Sequence, residues 1–447
     1  MLSNLVEKFL IDYLSYKPYA TREELVSVLS SVERLIRQNK DKTKEEIIDL
    51  IIKDNILEFE NIRKKYGVPG YTVSIKVGSN HIKIYGGNIN YLGEKMPENA
   101  LFDIASMTKF YTQIIAYNLI KEGYFHRDDR IIDLDKRFVN LSNLTVDDIL
   151  TFSTKFVTNG LIKDKKTIDE AYNTLFNVNV VETGRWNYND IGLMIIKEVM
   201  EKLTGLSYVK LVDKYIVKPL GLTDTHIIVP RNKFHLITGT PNFKIGHVND
   251  MGANALGGYS GHAGIFSSSD DLVKLMMGVR EGNILPNKSD AYTPGKYNDA
   301  IAKMGNVYTS NPKGLEKTFV DILEPRDTFS IAGSTRTNAA SSSDSTYNVL
   351  FNPSSMDVEE AKERVSKINY EREKNNLNHI DPVKEYEFNR DGKLVKMTLI
   401  DPRQLLPVDD VAYANRNIAI TTLKLRFLDF CLKENYYKKT EVIKNVK

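Results

Sequence analysis

Ser106-Met107-Thr108-Lys109 sets a hydroxyl and an amine three residues apart. On a helix that step puts both side chains on one face, about one turn apart. A serine hydroxyl is a poor nucleophile until something takes its proton. Lysine can do so only when neutral, and its free pKa near 10.4 must then fall by about 3 units, roughly 4 kcal/mol. Burial and neighbouring cations supply shifts of this size. At a helix start, the free amides and the dipole also favour a developing oxyanion. The same spacing recurs at Ser207–Lys210 and Ser310–Lys313. Pro312 keeps the second of these out of a regular helix interior. The first lies in an amphipathic helix, where a solvated Ser and Lys are sufficient explanation. Only Ser106 directly follows a strand, in LFDIASMTKFYTQIIAYNLIKEG, where a hydroxyl can be held rigidly.

Three further segments carry polar chemistry. In GRWNYNDIGLMIIKEVMEKLTG, Tyr188 and Asp190 precede a helix whose apolar face is Ile191, Met194, Ile195 and Val199. Tyr188 is a proton carrier if its pKa is lowered electrostatically. Otherwise it packs at a helix start that Asn189 or Asp190 caps. The segment FSIAGSTRTNAA reads as one strand that turns from apolar to polar. Gly333 leaves room for a ligand there, Ser334, Thr335 and Asn338 can donate hydrogen bonds, and Arg336 offers a planar fork for a carboxylate. A solvated edge strand is the alternative. In LGGYSGHAGIFSSSDDL, four glycines surround His262 ahead of a helix capped by Ser269 or Asp270. His262 either faces a pocket or is a satisfied turn residue.

The elements that position these residues follow from periodicity. The first 65 or so residues read as helices. Thr21–Glu24 and Thr43–Glu46 match the capping box, in which hydroxyl and carboxylate reciprocally satisfy free helix-start amides. The second helix would carry Ile47, Ile48, Ile51, Ile52, Leu57 and Phe59 on one broad face and stop at Gly67 and Pro69. Two strands follow, from Gly70 and from His81, joined by a tight turn at residues 78–80. A short strand, ALFDIA, leads to Ser106. From there to about Gly282 the pattern is mainly helical. Extended segments return at TFSIAGSTRTNAA and STYNVLFNP. The polar stretch SMDVEEAKERVSKINYEREKNNLN reads as an exposed helix, VKEYEFNRDGKLVKMTLID as a hairpin, and residues 413–434 as a last helix. The expected fold is α+β: an antiparallel sheet with strands from both ends of the chain, flanked by helices, with a helical lobe inserted at about 106–282. Residues 1–42 are expected to form a helical extension, 43–447 the main domain, and 356–405 an insertion in it.

Composition narrows the function classes. The chain has 447 residues, 42% apolar and 27% charged, as in ordinary globular protein. Lys plus Arg is 61 against 58 for Asp plus Glu, and the resulting net charge of +3 gives no reason to invoke nucleic acid. The single cysteine, Cys431, excludes an intramolecular disulfide and a cysteine-rich metal site, and its apolar neighbours mark it as a buried structural thiol. Glu7, Lys8 and Asp12 interrupt the apolar pattern of the first residues, and no run reaches the roughly 20 apolar residues of a membrane span. A cytoplasmic location is therefore the expectation.

Taken together, in order and spacing, these segments resemble the serine β-lactamase and penicillin-binding-protein superfamily, nearest its class-C-like and carboxylesterase branch. The resemblance runs from about residue 55 to residue 355. LFDIASMTK resembles the family's nucleophile motif, and LTVDDILTFSTK the helix after it, without the usual His-Thr-Ser-Gly. TGRWNYND resembles the Tyr-Ser-Asn region, with Asp190 in place of Asn. KPLGLTDTH and ALGGYSGHAGIFSSSDDL are similar to segments common in this branch, and FSIAGSTRTN takes the place of the Lys-Thr-Gly strand. That last segment leans toward a DD-peptidase or the penicillin-binding protein 4b type.

The resemblance implies a site between sheet and helical lobe, acylation of Ser106, and deacylation by water or another acceptor. Lys109 and Tyr188 would share the proton transfers, and the amides of Ser106 and Ser334 would form the oxyanion hole. Arg336 and Asn338 would lie where a substrate carboxylate is recognised. The expected partner is a small-molecule or peptide substrate, an ester or a D-amino-acid amide, with no cofactor and no metal. Two departures matter. Ile331 stands where a Lys or His usually opens the third motif, and Asp190 puts an anion where an amide is usual. An anion there favours a protonated Lys109. Both departures argue against efficient β-lactam turnover and leave ester or amide hydrolysis standing. The alternative is a catalytically impaired protein that binds a ligand or partner through the same cleft, and a true β-lactamase ranks third.

Overall fold

The computed structural model describes residues 4–284 apart from 19, 67, 90–92, 186 and 239–246. Beyond these it describes 308–309, 323–325, 328–342, 344–352, 366, 369–370, 373–374, 383–388, 394–399 and 409–434.

Three helices open the chain: α1 (Asn4–Tyr13), α2 (Arg22–Gln38) and α3 (Lys44–Tyr66). Both capping boxes form. Thr21 Oγ1 accepts the Glu24 amide while Glu24 accepts the Thr21 amide, and Thr43 and Glu46 repeat the exchange. On α3, Ile47, Ile51 and Phe59 are buried and Ile48 and Ile52 partly so, but Leu57 is 64% exposed and does not belong to the packing face. Cys431 is buried, and burial together with Glu33 pushes its thiol up to about 12.

The main sheet has six antiparallel strands, in the order β2-β1-β11-β10-β9-β8. β1 (Gly70–Val77) and β2 (Asn80–Gly87) form the first hairpin, closed where Val77 meets Asn80. β8 (Tyr308–Thr309), β9 (Phe329–Gly333), β10 (Thr337–Ser341) and β11 (Ser345–Phe351) come from the far end of the chain. β11 pairs with β1, so sequence-distant halves share one sheet. Alternation along β10 divides the two cores. Ala339 faces a core shared with the helical lobe, and Ala340 faces one shared with α1, α2, α3 and the last helix (Asp409–Lys433). Arg426 of that helix lies in the second core, donating to Asp344, Ser342, Ser345 and the Tyr13 hydroxyl and pairing with the buried Glu324.

The inserted block holds α4 (Thr108–Lys121), α5 (Ile131–Leu134), α6 (Val146–Leu150), α7 (Ile168–Phe176), α8 (Ile191–Thr204), α9 (Tyr208–Val212), α10 (Lys218–Leu220), α11 (Met251–Ala255) and α12 (Ser269–Arg280). It is less purely helical than its pattern suggests. β4 (Thr154–Val157) pairs with β5 (Asn179–Thr183), and β3 (Phe102–Asp103), β7 (Phe266–Ser267) and β6 (Thr225–His226) form a small sheet. Such two- to five-residue strands are too short to leave a periodic signal. α12 is capped by Ser268, one residue before the expected cap, its side chain accepting the Asp271 amide.

Late in the chain, β12 (Val383–Phe388) and β13 (Leu394–Leu399) pair as the expected hairpin, whose turn lies outside the described residues, as does most of the polar stretch 355–378. The last helix is α13 (Asp409–Lys433), four residues longer at its start than its pattern predicts. Among the described residues, no helix is long and apolar enough to cross a membrane.

Candidate active site

Ser106 sits in a short 3-10 turn, Ala105–Met107, that joins β3 to α4. The turn is tied to the segment 261–265 behind it. Ile104 N–H donates to Ile265 carbonyl, and Met107 N–H returns to Ile104 carbonyl. Thr108 Oγ1 accepts the Ile265 amide, and Thr112 donates to the Gly261 carbonyl at 2.5 Å. Helix α4 is buried along nearly its whole length, so the lysine one turn on is fixed by packing.

Lys109 is fully buried and donates to Ser106 Oγ at 2.8 Å. Its ammonium also lies 2.7 Å from Asp190 Oδ1 and 4.8 Å from the centre of the Tyr188 ring. Burial alone works to lower the lysine pKa, but the Asp190 carboxylate and Tyr188 outweigh it and the net shift is upward. Ser106, Lys109, Tyr188 and Asp190, all singled out in the sequence, are therefore brought together.

Tyr188 and Asp190 are set by the start of α8. Asn189, not Asp190, caps that helix: its Oδ1 accepts the Gly192 amide at 2.9 Å while its amide donates to the Thr154 and Asn187 carbonyls. This frees Asp190 to face Lys109. The Tyr188 ring stacks on Phe152 at 5.4 Å and 2° and remains 39% exposed.

Behind Asp190 lies a pair that sequence reading half found. His262 is 1% exposed, with Nδ1 2.6 Å from Ser260 Oγ and Nε2 2.9 Å from Asp250 Oδ1. Both ring nitrogens are thus engaged within the fold, which places His262 behind the site and not on its surface. Gly261 lets the loop press on α8, since a Cβ there would stand 2.0 Å from the Leu193 carbonyl oxygen. Asp250 caps α11 by accepting the Ala253 amide and carried no periodic or motif signal of its own. Burial works against the ionised form of Asp250, but His262 and the Ala253 amide overcome it and hold the pKa at about 2. Asp190 is likewise lowered, against its burial, by His262 and Lys109. Asp190, Asp250 and His262 bring one ligand atom each within 4.8 Å of one another. That set has donors suited to a divalent cation, yet the Lys109 ammonium already stands against its Asp190 oxygen.

FSIAGSTRTNAA is not one strand. It is a tight hairpin, β9 and β10, with Ser334, Thr335 and Arg336 as its three-residue turn and Gly333 opposite Thr337. Arg336 takes the left-handed conformation, φ +60°, that such turns require of their last residue. Gly333 is needed for close approach: a Cβ would lie 2.3 Å from the Ile104 carbonyl oxygen, so the hairpin end and the Ser106 turn touch backbone to backbone. Ser334 is exposed and Arg336 partly buried beside it. Thr335 is buried, its hydroxyl donating to the Asp103 carbonyl at 2.6 Å, so that group holds the turn. Asn338 is turned the other way. Its amide donates to Asn415 of α13, on the opposite side of the sheet, because a residue two places from Ala340 shares Ala340's face. Ile331, where a cation was missed, is fully buried in the core shared with the helical lobe. Ser207 caps α9 without a side-chain bond, and Ser310–Lys313 lies outside the described residues.

A family model described as Beta-lactamase matches residues 58–316, more than half of the chain. The chain belongs to the beta-lactamase family. Among curated relatives, one from Escherichia coli (strain K12) named "Putative D-alanyl-D-alanine carboxypeptidase" is 28% identical over 299 residues, covering 58% of this chain and 65% of the relative. The chain thus spans less than two thirds of the length of the curated relatives it matches first. Among solved structures, a class C beta lactamase superposes with a TM-score of 0.53 at 16% identity, covering 71% of this chain and 96% of the other. A hydrolase with promiscuous acyltransferase activity gives 0.54 at 14% identity, covering 68% and 94%. At these identities the two structures speak for the fold, which is the β-lactamase fold. Membership of the family makes this chain a relative of serine hydrolases.

Proposed function

We propose that this beta-lactamase-family chain is a serine hydrolase that works through an acyl-enzyme on Ser106. The substrate would be an ester or a D-amino-acid amide or peptide. One observation carries the reading: a fully buried lysine ammonium donates to Ser106 Oγ at 2.8 Å from the same helix face.

Because Lys109 is held charged, its own proton must leave before it can take the one on Ser106. Asp190 is the natural acceptor at 2.7 Å. The Asp190 side chain is 45% exposed in the free protein. A substrate that covers it strips water from the carboxylate, which raises a carboxylate's pKa and favours the neutral pair. Lys109 then accepts the Ser106 proton as Oγ adds to the carbonyl carbon. Tyr188, against the same ammonium, is placed to hand a proton to the leaving group. The amides of Ser106 and Ser334 would receive the oxyanion. The names of the curated relatives favour a D-alanyl peptide, and Arg336 is the group that would bind its terminal carboxylate.

The raised pKa of Lys109 also supports a second reading, a catalytically impaired protein that binds its ligand through the same cleft. Incubation with a fluorophosphonate and, separately, with a labelled penicillin separates the two. An adduct on Ser106 by intact mass and peptide mapping, absent from Ser106→Ala, is the expected result. Labelling by the phosphonate alone favours an esterase over a penicillin-binding activity. No adduct from either reagent on folded protein would remove the hydrolase reading.

A further inference from the structure

The backbone entering the Ser106 turn is strained, and a buried carboxylate is hydrogen-bonded to it. Ala105 has φ +44°, in the left-handed region that favours glycine. Nothing in an alanine side chain stabilises that conformation, so neighbouring bonds must impose it. Asp103, two residues upstream, is 1% exposed. Its Oδ1 accepts the Ala105 amide at 2.8 Å, and its Oδ2 accepts the Asn249 amide at 2.6 Å. Its main-chain carbonyl accepts the Thr335 hydroxyl at 2.6 Å. One residue therefore joins three segments: the turn that carries Ser106, the loop that ends at Asp250, and the hairpin turn 334–336.

We propose that Asp103 is a positioning residue for acyl transfer: its carboxylate holds Ala105 left-handed and so keeps Ser106 Oγ aligned with Lys109 and the Ser334 turn. The inference rests on Ser106 being the nucleophile. Asp103 acts through Ala105 and touches no reacting atom. An asparagine in its place has nearly the same shape but only one acceptor oxygen, so its NH2 must face one of the two amide donors. Ala105 can then relax toward ordinary backbone geometry and carry Ser106 with it. A glycine at position 105 would hold the left-handed conformation without help, which separates alignment from simple stability.

The test measures the rate constant for fluorophosphonate labelling of Ser106, per folded molecule, in four proteins: the unmutated chain, Asp103→Asn, Ala105→Gly and the double variant. Melting curves give the folded fraction. Asp103→Asn is expected to slow labelling about tenfold or more in the unmutated background, and less than about threefold in the Ala105→Gly background, since coupled residues are non-additive. Equal losses in both backgrounds overturn the proposal. So does a lower melting temperature with an unchanged rate per folded molecule, which is what a merely structural Asp103 gives. Absence of labelling in the unmutated chain overturns the nucleophile reading itself. Should Asp103→Asn not fold, amide hydrogen exchange on the unmutated chain decides: the Ala105 and Asn249 amides must both be strongly protected, and fast exchange at either overturns the proposal.

Discussion

Asp190 stands 2.7 Å from the Lys109 ammonium, which also donates to Ser106 Oγ at 2.8 Å. The pairing raises the lysine's pKa against the effect of its burial, and His262 together with Lys109 lowers the aspartate's against the effect of its own. Replacing Asp190 by Asn keeps a hydrogen-bonding group and removes the anion. Burial then dominates, and it lowers a lysine's pKa. The pH at which phosphonate labelling of Ser106 reaches half its maximum is therefore expected to move down in Asp190→Asn, by about 1 unit or more. An unchanged or higher midpoint would show that Asp190 does not set the charge of Lys109.

Arg336 gives a prediction about substrate class. A penicillin carries a carboxylate, and a simple fluorophosphonate carries none. If Arg336 forks onto a substrate carboxylate, Arg336→Ala slows acylation by penicillin about tenfold more than acylation by the phosphonate, a charge-assisted pair contributing roughly 1.5–3 kcal/mol. Equal losses with both reagents would assign Arg336 to the hairpin turn alone, where its φ of +60° already gives it a structural part.

The pairing of Ser106 with Lys109 was legible because the two lie on one helix turn, so spacing in the chain is spacing in the fold. The first hairpin was legible from alternation in β1 and β2, and both capping boxes from local residue types. Asn338 shows where such reading ends. Its polarity suggested a ligand, but only strand register decides its face, and register placed it against Asn415. Thr335 was read as a donor to substrate, yet its hydroxyl serves Asp103. Asp103 and Asp250 were missed because their bonds join segments more than 100 residues apart or cap a five-residue helix, and neither leaves a periodic trace.

Arg426 tests the second core independently of the site. Its side chain is 4% exposed and reaches the carboxylates of Glu324, itself fully buried, and Asp344. Arg426→Ala leaves the Glu324 charge without this cation. Removing one member of a buried pair costs about 3–5 kcal/mol. Urea unfolding should show that loss, while the labelling rate of the remaining folded protein stays unchanged, because Arg426 lies on the far side of the sheet. A loss below about 1 kcal/mol would mean that the network contributes no more than an exposed ion pair does.

Asp250 ties the site to the pH dependence of stability. Its pKa is about 2 in the folded protein against an ordinary 3.8, so the folded state binds this proton more weakly than the unfolded state does. The contribution is therefore complete above the unfolded pKa, near pH 4, and is lost as pH falls through the folded value near 2. A shift of this size corresponds to roughly 2 kcal/mol, and solvent screening reduces it to about 1 kcal/mol for a side chain one third exposed. Thermal melting of the unmutated chain and Asp250→Asn should differ most at pH 5–7, with the gap narrowing from pH 4 downward. A gap that stays constant to pH 2 would mean that Asp250 stabilises the fold only as a neutral cap for α11, with no part played by its charge against His262.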